Sequence, residues 1–152
     1  MKSKIEAISP SEWELMRVIW TKGQVTSREL IDTLQMKRDW SDSTIKTLIR
    51  RLSKKDFVSA EKQHGCFVFQ ARIQEKEAMN ASAEALFHDF CAMNRGQTLV
   101  DLIQELPLSR RDVQELQTVL TKKMANAPEK VPCNCLPAKA HCQDCEVTSH
   151  EA

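Results

Sequence analysis

Four cysteines towards the C-terminal end of the sequence are the residues best suited to chemistry. They form two pairs, Cys133-Asn-Cys135 and Cys142-Gln-Asp-Cys145, which place four thiols within thirteen residues of a polar segment. Such a segment has no core in which thiols could be buried, so packing does not explain them. Four thiolates satisfy the tetrahedral preference of zinc, and the same soft ligands select Cu(I). We therefore predict a metal site at Cys133, Cys135, Cys142 and Cys145, with the adjacent His141 as a further candidate ligand.

The other two cysteines give weaker signals. Cys91 follows His88 by three residues, a spacing that places both on one side of a helix, but the neighbouring sequence offers no further ligand. We predict no metal site there. Cys66 adjoins a predicted strand, and we expect its small side chain to be at least half-buried.

The sequence shows neither the apolar segment of a secretory signal at its start nor an apolar run that approaches the ~20 residues of a membrane span. We therefore expect a cytoplasmic protein without a membrane partner. In a reducing compartment, cysteines serve as thiols or metal ligands more often than as disulfides, which agrees with the predicted metal site.

The segment Ser41–Lys55 has the pattern of a helix that binds a polyanion. Its apolar residues recur at helical spacing and predict a stripe that packs on a core, formed by Ile45, Leu48, Ile49 and Leu52. From Ser43 to Lys55 there are five basic residues and no acidic one. Lys and Arg neutralise phosphates, whereas hydroxyls and guanidinium groups reach base edges in a major groove. The residues predicted to contact DNA are Ser43, Thr44, Lys46, Thr47, Arg50, Arg51, Lys54 and, from the hairpin that follows, Lys62.

A basic run also suits a merely solvated surface, so the elements around this helix decide between the two interpretations. Ser9-Pro10-Ser11-Glu12 and Thr26-Ser27-Arg28-Glu29 are capping boxes, which predict two preceding helices. In the first of these, Trp13 and Trp20 are expected in the core. After Asp56 the apolar period becomes two, and residues 57–62 and 66–71 predict a β-hairpin. Two helices, a basic helix and a hairpin make a winged helix-turn-helix.

From Glu75 onwards the helical pattern resumes without a basic face. The seam that it predicts, with steps of four and three, is formed by Met79, Ala83, Leu86, Phe90 and Met93. Two further segments, 99–106 and 109–124, predict short helices with apolar stripes of their own, and Ser109 to Asp112 are expected to cap the second. Because a small winged domain cannot cover all of these stripes, we expect a homodimer.

Charge divides the chain in the same way. Residues 1–73 contain 14 Lys and Arg against 9 Asp and Glu, whereas residues 74–152 contain 8 against 12. Only the first half therefore suits a polyanion. We expect a mostly α-helical chain with a small β-hairpin, divided into a winged-helix DNA-binding domain (1–73), a helical dimerisation region (74–125), and a flexible linker with a cysteine-rich metal-binding tail (126–152).

Four segments together resemble the penicillinase repressor (BlaI/MecI) family: Ser11–Trp20, Thr26–Leu30, Asp39–Ser41 and Ser43–Leu52. The resemblance implies a repressor that binds double-stranded operator DNA as a homodimer, with the third helix in the major groove. The operator implied is an inverted repeat, typically of TACA/TGTA type. Asp56 stands where the family commonly has glycine, and Asp tolerates the left-handed conformation moderately well.

The tail resembles that of CopY-type copper-responsive repressors within this family. Their two Cys-x-Cys pairs are usually four residues apart, whereas here the gap is six residues and the second pair is Cys-x-x-Cys. This resemblance implies that the zinc-bound dimer holds the operator and that Cu(I), for which a copper chaperone is a candidate donor, displaces zinc and releases it. Genes of copper export and homeostasis are then expressed.

Several alternatives remain open. One is a regulator of β-lactam resistance; such repressors resemble this chain but are inactivated by cleavage at an Asn-Phe bond, for which the nearest candidate here is Asn94-Arg95. Another is a sensor of zinc, cadmium or silver. Outside the family, Cys142-x-x-Cys145 would suit a redox dithiol, or the tail a metal buffer. The sequence has no βαβ pattern before that pair and no catalytic constellation, so we expect no enzyme.

Overall fold

The computed structural model describes residues 8–137, and within that range the chain forms six helices and three short strands. Their order is α1 (Pro10–Lys22), β1 (Gln24–Thr26), α2 (Ser27–Gln35), α3 (Asp42–Lys54), β2 (Val58–Gln63), β3 (Cys66–Ala71), α4 (Glu75–Asp89), α5 (Arg95–Glu105) and α6 (Arg110–Met124). The chain divides into two compact units, an N-terminal unit (Met1–Ala85) and a C-terminal unit (Leu86–Ala152).

The predicted capping boxes begin α1 and α2. At α1, Ser9 Oγ accepts a hydrogen bond from the Glu12 N–H at 3.3 Å, and Glu12 Oε2 accepts one from the Ser9 N–H at 2.9 Å. The same pair of bonds joins Thr26 and Glu29 at α2. Since each box satisfies N–H groups that have no partner within the helix, both starts are fixed by local sequence.

The core of the N-terminal unit lies between its three first helices and the sheet. The apolar stripe predicted for the basic segment is buried on α3, which confirms that helix and its orientation. Trp13 and Trp20 are half-buried and pack against this core, with their ring centroids 5.5 Å apart. The Trp20 indole N–H also donates to the Ile73 carbonyl oxygen at 2.8 Å, which ties the chain after the sheet to α1.

The strands form an antiparallel sheet in the order β1-β3-β2. The predicted hairpin is confirmed as β2 and β3, which turn through His64 and Gly65, both at positive φ. β1 was not predicted from the sequence; it pairs with β3 and buries Val25. Fold class is as expected: a mostly helical chain with a winged helix-turn-helix.

Asp56 and Cys66, on either side of β2, were the subject of two further predictions. Asp56, between α3 and β2, has φ 65°, so it adopts the left-handed conformation that was expected to be tolerated there. Its carboxylate accepts a hydrogen bond from Arg72 at 2.7 Å. The expectation for Cys66 was wrong: this side chain is exposed, because it follows the turn directly at the outer end of β3.

In the C-terminal unit most apolar residues of the helices are exposed. α4 ends at Asp89, so Phe90 and Met93 of the predicted seam lie beyond that helix. α6 begins with a capping box between Ser109 and Asp112, as predicted. None of the helices among residues 8–137 combines the length and the apolar character needed to cross a membrane.

Candidate nucleic-acid interface and thiol cluster

The solvent face of α3 carries every residue of that helix that was predicted to contact DNA. The exposed residues are Ser43, Thr44, Lys46, Thr47, Arg50, Arg51 and Lys54. Within residues 8–137, the side chains of Lys46, Arg50, Arg51 and Lys54 take part in no hydrogen bond or ion pair. A row of unpaired cations on one exposed helix face is suited to phosphates and base edges.

The hydroxyl groups lie at the N-terminal end of the same face. Ser41 Oγ accepts a hydrogen bond from the Thr44 N–H at 3.2 Å and lies 2.8 Å from Ser43 Oγ. Thr47 Oγ1 donates to the Ser43 carbonyl oxygen at 2.8 Å. These bonds fix the orientation of the hydroxyls next to the helix N-terminus, where the dipole favours an anion.

A partly buried ion pair anchors the other end of α3 to the start of α1. Lys55 Nζ lies 2.9 Å from Glu12 Oε2, whose side chain is only 2% exposed. Burial raises the pKa of Glu12. The hydrogen bond from the Ser9 N–H and the Lys55 ammonium group lower it by more, so the net pKa is below the ordinary value. The α1 capping box and the position of α3 therefore depend on the same carboxylate.

The wing carries the remaining residue of the predicted interface. Lys62 is exposed on β2 and is paired in register with Phe67, which is 52% exposed on β3. The ammonium group is thus presented to solvent, as a phosphate contact from the wing requires. Contact between DNA and any of these residues stays a prediction.

A cluster of three thiols lies in the C-terminal unit. It consists of Cys91, Cys133 and Cys135, whose sulfur atoms all lie within 4.8 Å of one another. Cys91 Sγ and Cys133 Sγ are 3.6 Å apart. We call this set the thiol cluster. Cys142, Cys145 and His141, the other predicted ligands, lie outside the described residues.

Local hydrogen bonds position the thiol cluster. Cys91 lies in the turn between α4 and α5, where the Arg95 side chain donates to the carbonyl oxygens of His88 and Phe90 at 2.8 and 3.1 Å. The Asn134 side-chain oxygen accepts a hydrogen bond from the Ala92 N–H at 2.8 Å. That bond holds the Cys133–Cys135 segment against the turn, so a contact outside the sulfurs helps to bring the three of them together.

The donor set and its spacing fit a soft metal ion. Hydrogen bonds with Cys91 and Cys133, followed by burial, raise the pKa of Cys135 to about 12. A raised pKa means that the thiol is harder to deprotonate. A cation among the sulfurs would favour the thiolate, which is the form of cysteine that metals bind. A Zn–S bond of about 2.3 Å implies sulfurs ~3.8 Å apart in a tetrahedron, close to the spacing here. The Cys135 N–H also donates to Cys133 Sγ at 3.4 Å, the kind of outer-shell bond that orients a ligand.

The expectation that no further candidate ligand lies near Cys91 was wrong, because the sulfurs of Cys133 and Cys135 lie within 4.8 Å of it. It was based on the local sequence, whereas Cys133 is 42 residues further along the chain. The helical pairing with His88 does not contribute, because that side chain is exposed and its nearest charged partner is Asp89, at 4.0 Å. Only a pairing of the tail with the α4–α5 turn could have revealed the cluster, and no local pattern encodes that pairing.

Comparison with known proteins places these features in context. The penicillinase repressor family model matches residues 8–122. The chain is 52% identical over 143 residues to an uncharacterised 16.5 kDa protein in the ptsI 3' region of Latilactobacillus sakei, covering 94% of this chain and 98% of that protein. It is 31% identical over 123 residues to the methicillin resistance regulatory protein MecI of Mammaliicoccus sciuri, covering 81% of this chain and all of MecI.

One solved structure with 36% sequence identity is the Bacillus licheniformis BlaI monomer in complex with the blaP half-operator. The match covers 48% of this chain and 89% of that chain, with a TM-score of 0.44.

Cys91 lies inside the region that the family model matches, whereas Cys133 and Cys135 lie beyond its last residue. The thiol cluster therefore joins a position within the family region to a segment outside it.

Proposed function

The chain belongs to the penicillinase repressor family of DNA-binding transcriptional repressors, and we propose that it is a copper-responsive member of the CopY type. The family is one of repressors rather than enzymes. In this proposal the zinc-bound homodimer holds an inverted-repeat operator, and Cu(I) at the C-terminal cysteines releases it. Genes of copper export or homeostasis are then transcribed.

The single observation that carries the proposal is the thiol cluster. Three cysteine sulfurs within 4.8 Å of one another, held by backbone hydrogen bonds, are a donor set for soft metals and have no role in packing a core. A repressor that carries such a cluster outside its DNA-binding unit has the two separate sites that a metal-sensing switch needs.

Operator binding is assigned to the exposed face of α3, with Lys62 on the wing contacting backbone phosphate. Arg50 and Thr47 are placed at base edges, and Lys46, Arg51 and Lys54 at phosphates, with Ser43 and Thr44 near the helix N-terminus. Two copies related by a two-fold axis would read the two halves of an inverted repeat. The exposed apolar residues of α5 and α6 supply surface for that dimer.

Release follows if the two metal states support the DNA-binding dimer unequally. Cys133, Cys135, Cys142 and Cys145 supply four thiolates for zinc, and Cu(I) competes because soft thiolates favour it and it accepts fewer ligands. A coupling free energy of about 1 to 3 kcal/mol would weaken operator binding about 5- to 150-fold. A copper chaperone is a candidate donor of Cu(I).

The proposal is tested by a mobility shift on a duplex that contains an inverted repeat from the gene's own upstream region, at fixed salt and under anaerobic reducing conditions. We expect the zinc-loaded protein to bind and one equivalent or more of Cu(I) to release it. The Cys133→Ser/Cys135→Ser double variant is expected to lose this response. Binding that is equally tight after saturation with Cu(I) would overturn the proposal.

The identity to MecI over its whole length favours a second candidate, a regulator of β-lactam resistance. In that case the thiols play no part in operator release. The Cys133→Ser/Cys135→Ser variant and the original chain would then bind the operator equally, with or without Cu(I). Titration of the same duplex with Zn(II), Cd(II) and Ag(I) separates the copper assignment from a sensor of another soft metal.

A further inference from the structure

The thiol cluster contains a cysteine from outside the tail, and this changes what its site can do. Cys91 Sγ lies 3.6 Å from Cys133 Sγ, and Cys135 Sγ lies within 4.8 Å of both. We propose that Cys91, Cys133 and Cys135 together form a three-sulfur site for Cu(I). This assignment rests on the proposed function and names the ligands of its copper-bound state.

The number of donors favours Cu(I) over zinc at this site. Structural zinc is almost always four-coordinate, so three sulfurs leave one position unfilled, whereas a soft monovalent ion is satisfied by three thiolates. Trigonal bonds of about 2.3 Å, the length of a metal–sulfur bond, imply sulfurs ~4.0 Å apart. Cys91 Sγ and Cys133 Sγ are 3.6 Å apart and no pair in the cluster exceeds 4.8 Å, so every sulfur lies within about 1 Å of that geometry. Metal binding would convert the thiols to thiolates and release their protons to water.

Burial and neighbouring hydrogen bonds orient the cysteines of the thiol cluster. Cys91 and Cys133 are both half-buried, so water is partly excluded. The Asn134 side chain accepts from the Ala92 N–H, next to Cys91, and the Cys135 N–H donates to Cys133 Sγ. Contacts of this outer kind fix ligand geometry before the metal arrives.

The consequence is a connection between the tail and the helices. Cys91 lies in the turn that precedes α5, and the Arg95 side chain in the first turn of α5 binds the carbonyl oxygens of His88 and Phe90, at the end of α4 just before Cys91. A Cu(I) ion bound by Cys91, Cys133 and Cys135 would cross-link the tail to this turn. Exchange of zinc on tail thiols for Cu(I) on this set would therefore change the connection at the start of α5, which bears part of the exposed apolar surface.

The test compares the full-length chain with its Cys91→Ser variant, under anaerobic reducing conditions. Cu(I) affinity is measured by competition with a Cu(I) chelator, and sulfur coordination by X-ray absorption at one Cu(I) per chain. We expect about 100-fold weaker binding in the variant, a loss at the upper end of what outer-shell changes cause, and a sulfur coordination number that falls from three to two. Cys66→Ser, which removes an exposed thiol on β3 instead, is the matched control and should leave both values unchanged.

A second variant guards against misfolding of Cys91→Ser. Asn134→Ala keeps every thiol and removes only the bond from the Ala92 N–H; we expect about 10-fold weaker Cu(I) binding, with an unchanged circular dichroism spectrum. Three sulfurs and unchanged affinity in Cys91→Ser would overturn the assignment, because Cys142 or Cys145 would then be the third ligand. Unchanged affinity in both variants would overturn it as well.

The two proposals fail separately. If Cu(I) does not release the original chain from its operator, the proposed function fails, while the coordination number of Cys91→Ser still decides whether Cys91 is a ligand. If Cu(I) releases the original chain and Cys91→Ser equally and with three sulfurs in each, the proposed function stands and the role of Cys91 is rejected.

Discussion

Leu52 on α3 is fully buried, whereas Leu120 on α6 is 51% exposed, and each is representative of the unit that contains it. Among the described residues 8–137, every buried apolar residue lies between Ile8 and Ala78, and none of residues 86–137 is buried. Since apolar area removed from water is the main source of stability, the N-terminal unit can stabilise itself, whereas the C-terminal helices leave most of their apolar surface unused.

The two units therefore suit different parts of the function. A rigid core holds the exposed basic side of α3 in one orientation, which the proposed reading of base edges requires. The C-terminal unit instead has many exposed apolar side chains along α5, α6 and the loop between them: Leu99, Val100, Leu102, Leu106, Leu108, Val113, Val119, Leu120 and Met124. Such a surface agrees with the proposed homodimer, and the proposed metal response would then act in the unit with fewer buried apolar contacts.

The largest effect is expected from the core of the N-terminal unit. Leu52→Ala should lower the free energy of unfolding by about 2 to 5 kcal/mol, because it leaves a cavity in a closely packed site. Urea denaturation followed by tryptophan fluorescence measures this unit alone, since Trp13, Trp20 and Trp40 all belong to it. Met36→Ala, at an 81% exposed position of the same unit, should change stability by less than about 0.5 kcal/mol. Equal effects of the two would show that the core is not where the stability lies.

The next effect concerns the exposed apolar surface. Leu120→Asp should weaken dimerisation by about 3 kcal/mol, or roughly 100-fold, because each leucine contributes about 1.5 kcal/mol or more and a two-fold axis counts it twice. Sedimentation velocity over a concentration series measures the change. Met36→Asp is the control, since it places the same charge at an exposed apolar position of the N-terminal unit. A dimer of undiminished strength in Leu120→Asp would place the interface elsewhere.

The third effect separates the cationic faces of the two units. Arg50→Ala should cost about 1 to 3 kcal/mol of operator binding and relax specificity, and Lys54→Ala should weaken binding to all sequences and reduce the salt slope by about 1. Both are measured by fluorescence anisotropy at several salt concentrations. Arg111→Ala removes an exposed cation of the C-terminal unit that pairs with Glu115 and should leave operator binding unchanged. A loss in Arg111→Ala equal to that in Arg50→Ala would contradict the assignment of α3.

Elements that depend on neighbouring residues could be predicted from the sequence. Capping boxes at Ser9, Thr26 and Ser109, and the buried stripe of α3, involve residues within a few positions of one another, and the structure confirms them. β1 was missed because three residues carry too little pattern and because Val25 is fixed by pairing with Phe69, far along the chain. Elements set by neighbouring residues can be predicted from one sequence, whereas contacts between residues far apart in the sequence cannot.

The same limit applies to the candidate site. The α3 face follows from helical period and charge, so its residues could be named in advance and are exposed as expected. The thiol cluster depends on a bond between Asn134 and Ala92, 42 residues apart, which no motif announces. The end of α4 at Asp89 was missed for a related reason: the Arg95 side chain takes up carbonyl oxygens at that end, a contact that competes with the continuing apolar pattern.

The smallest effect expected is a pH dependence confined to the N-terminal unit. The Ser9 N–H and Lys55 hold the pKa of Glu12 below its ordinary value despite burial. A depressed folded-state pKa contributes stability that is complete above the unfolded value of about 4.5 and is lost as pH falls through the lower folded value. Glu12→Gln should therefore flatten the acid side of the stability curve from urea denaturation. Glu105→Gln, an exposed change in the C-terminal unit, should leave the curve as it is. An acid limb that is equally steep in Glu12→Gln would mean that other carboxylates, and not the one joining α1 to α3, govern the acid sensitivity of the DNA-binding unit.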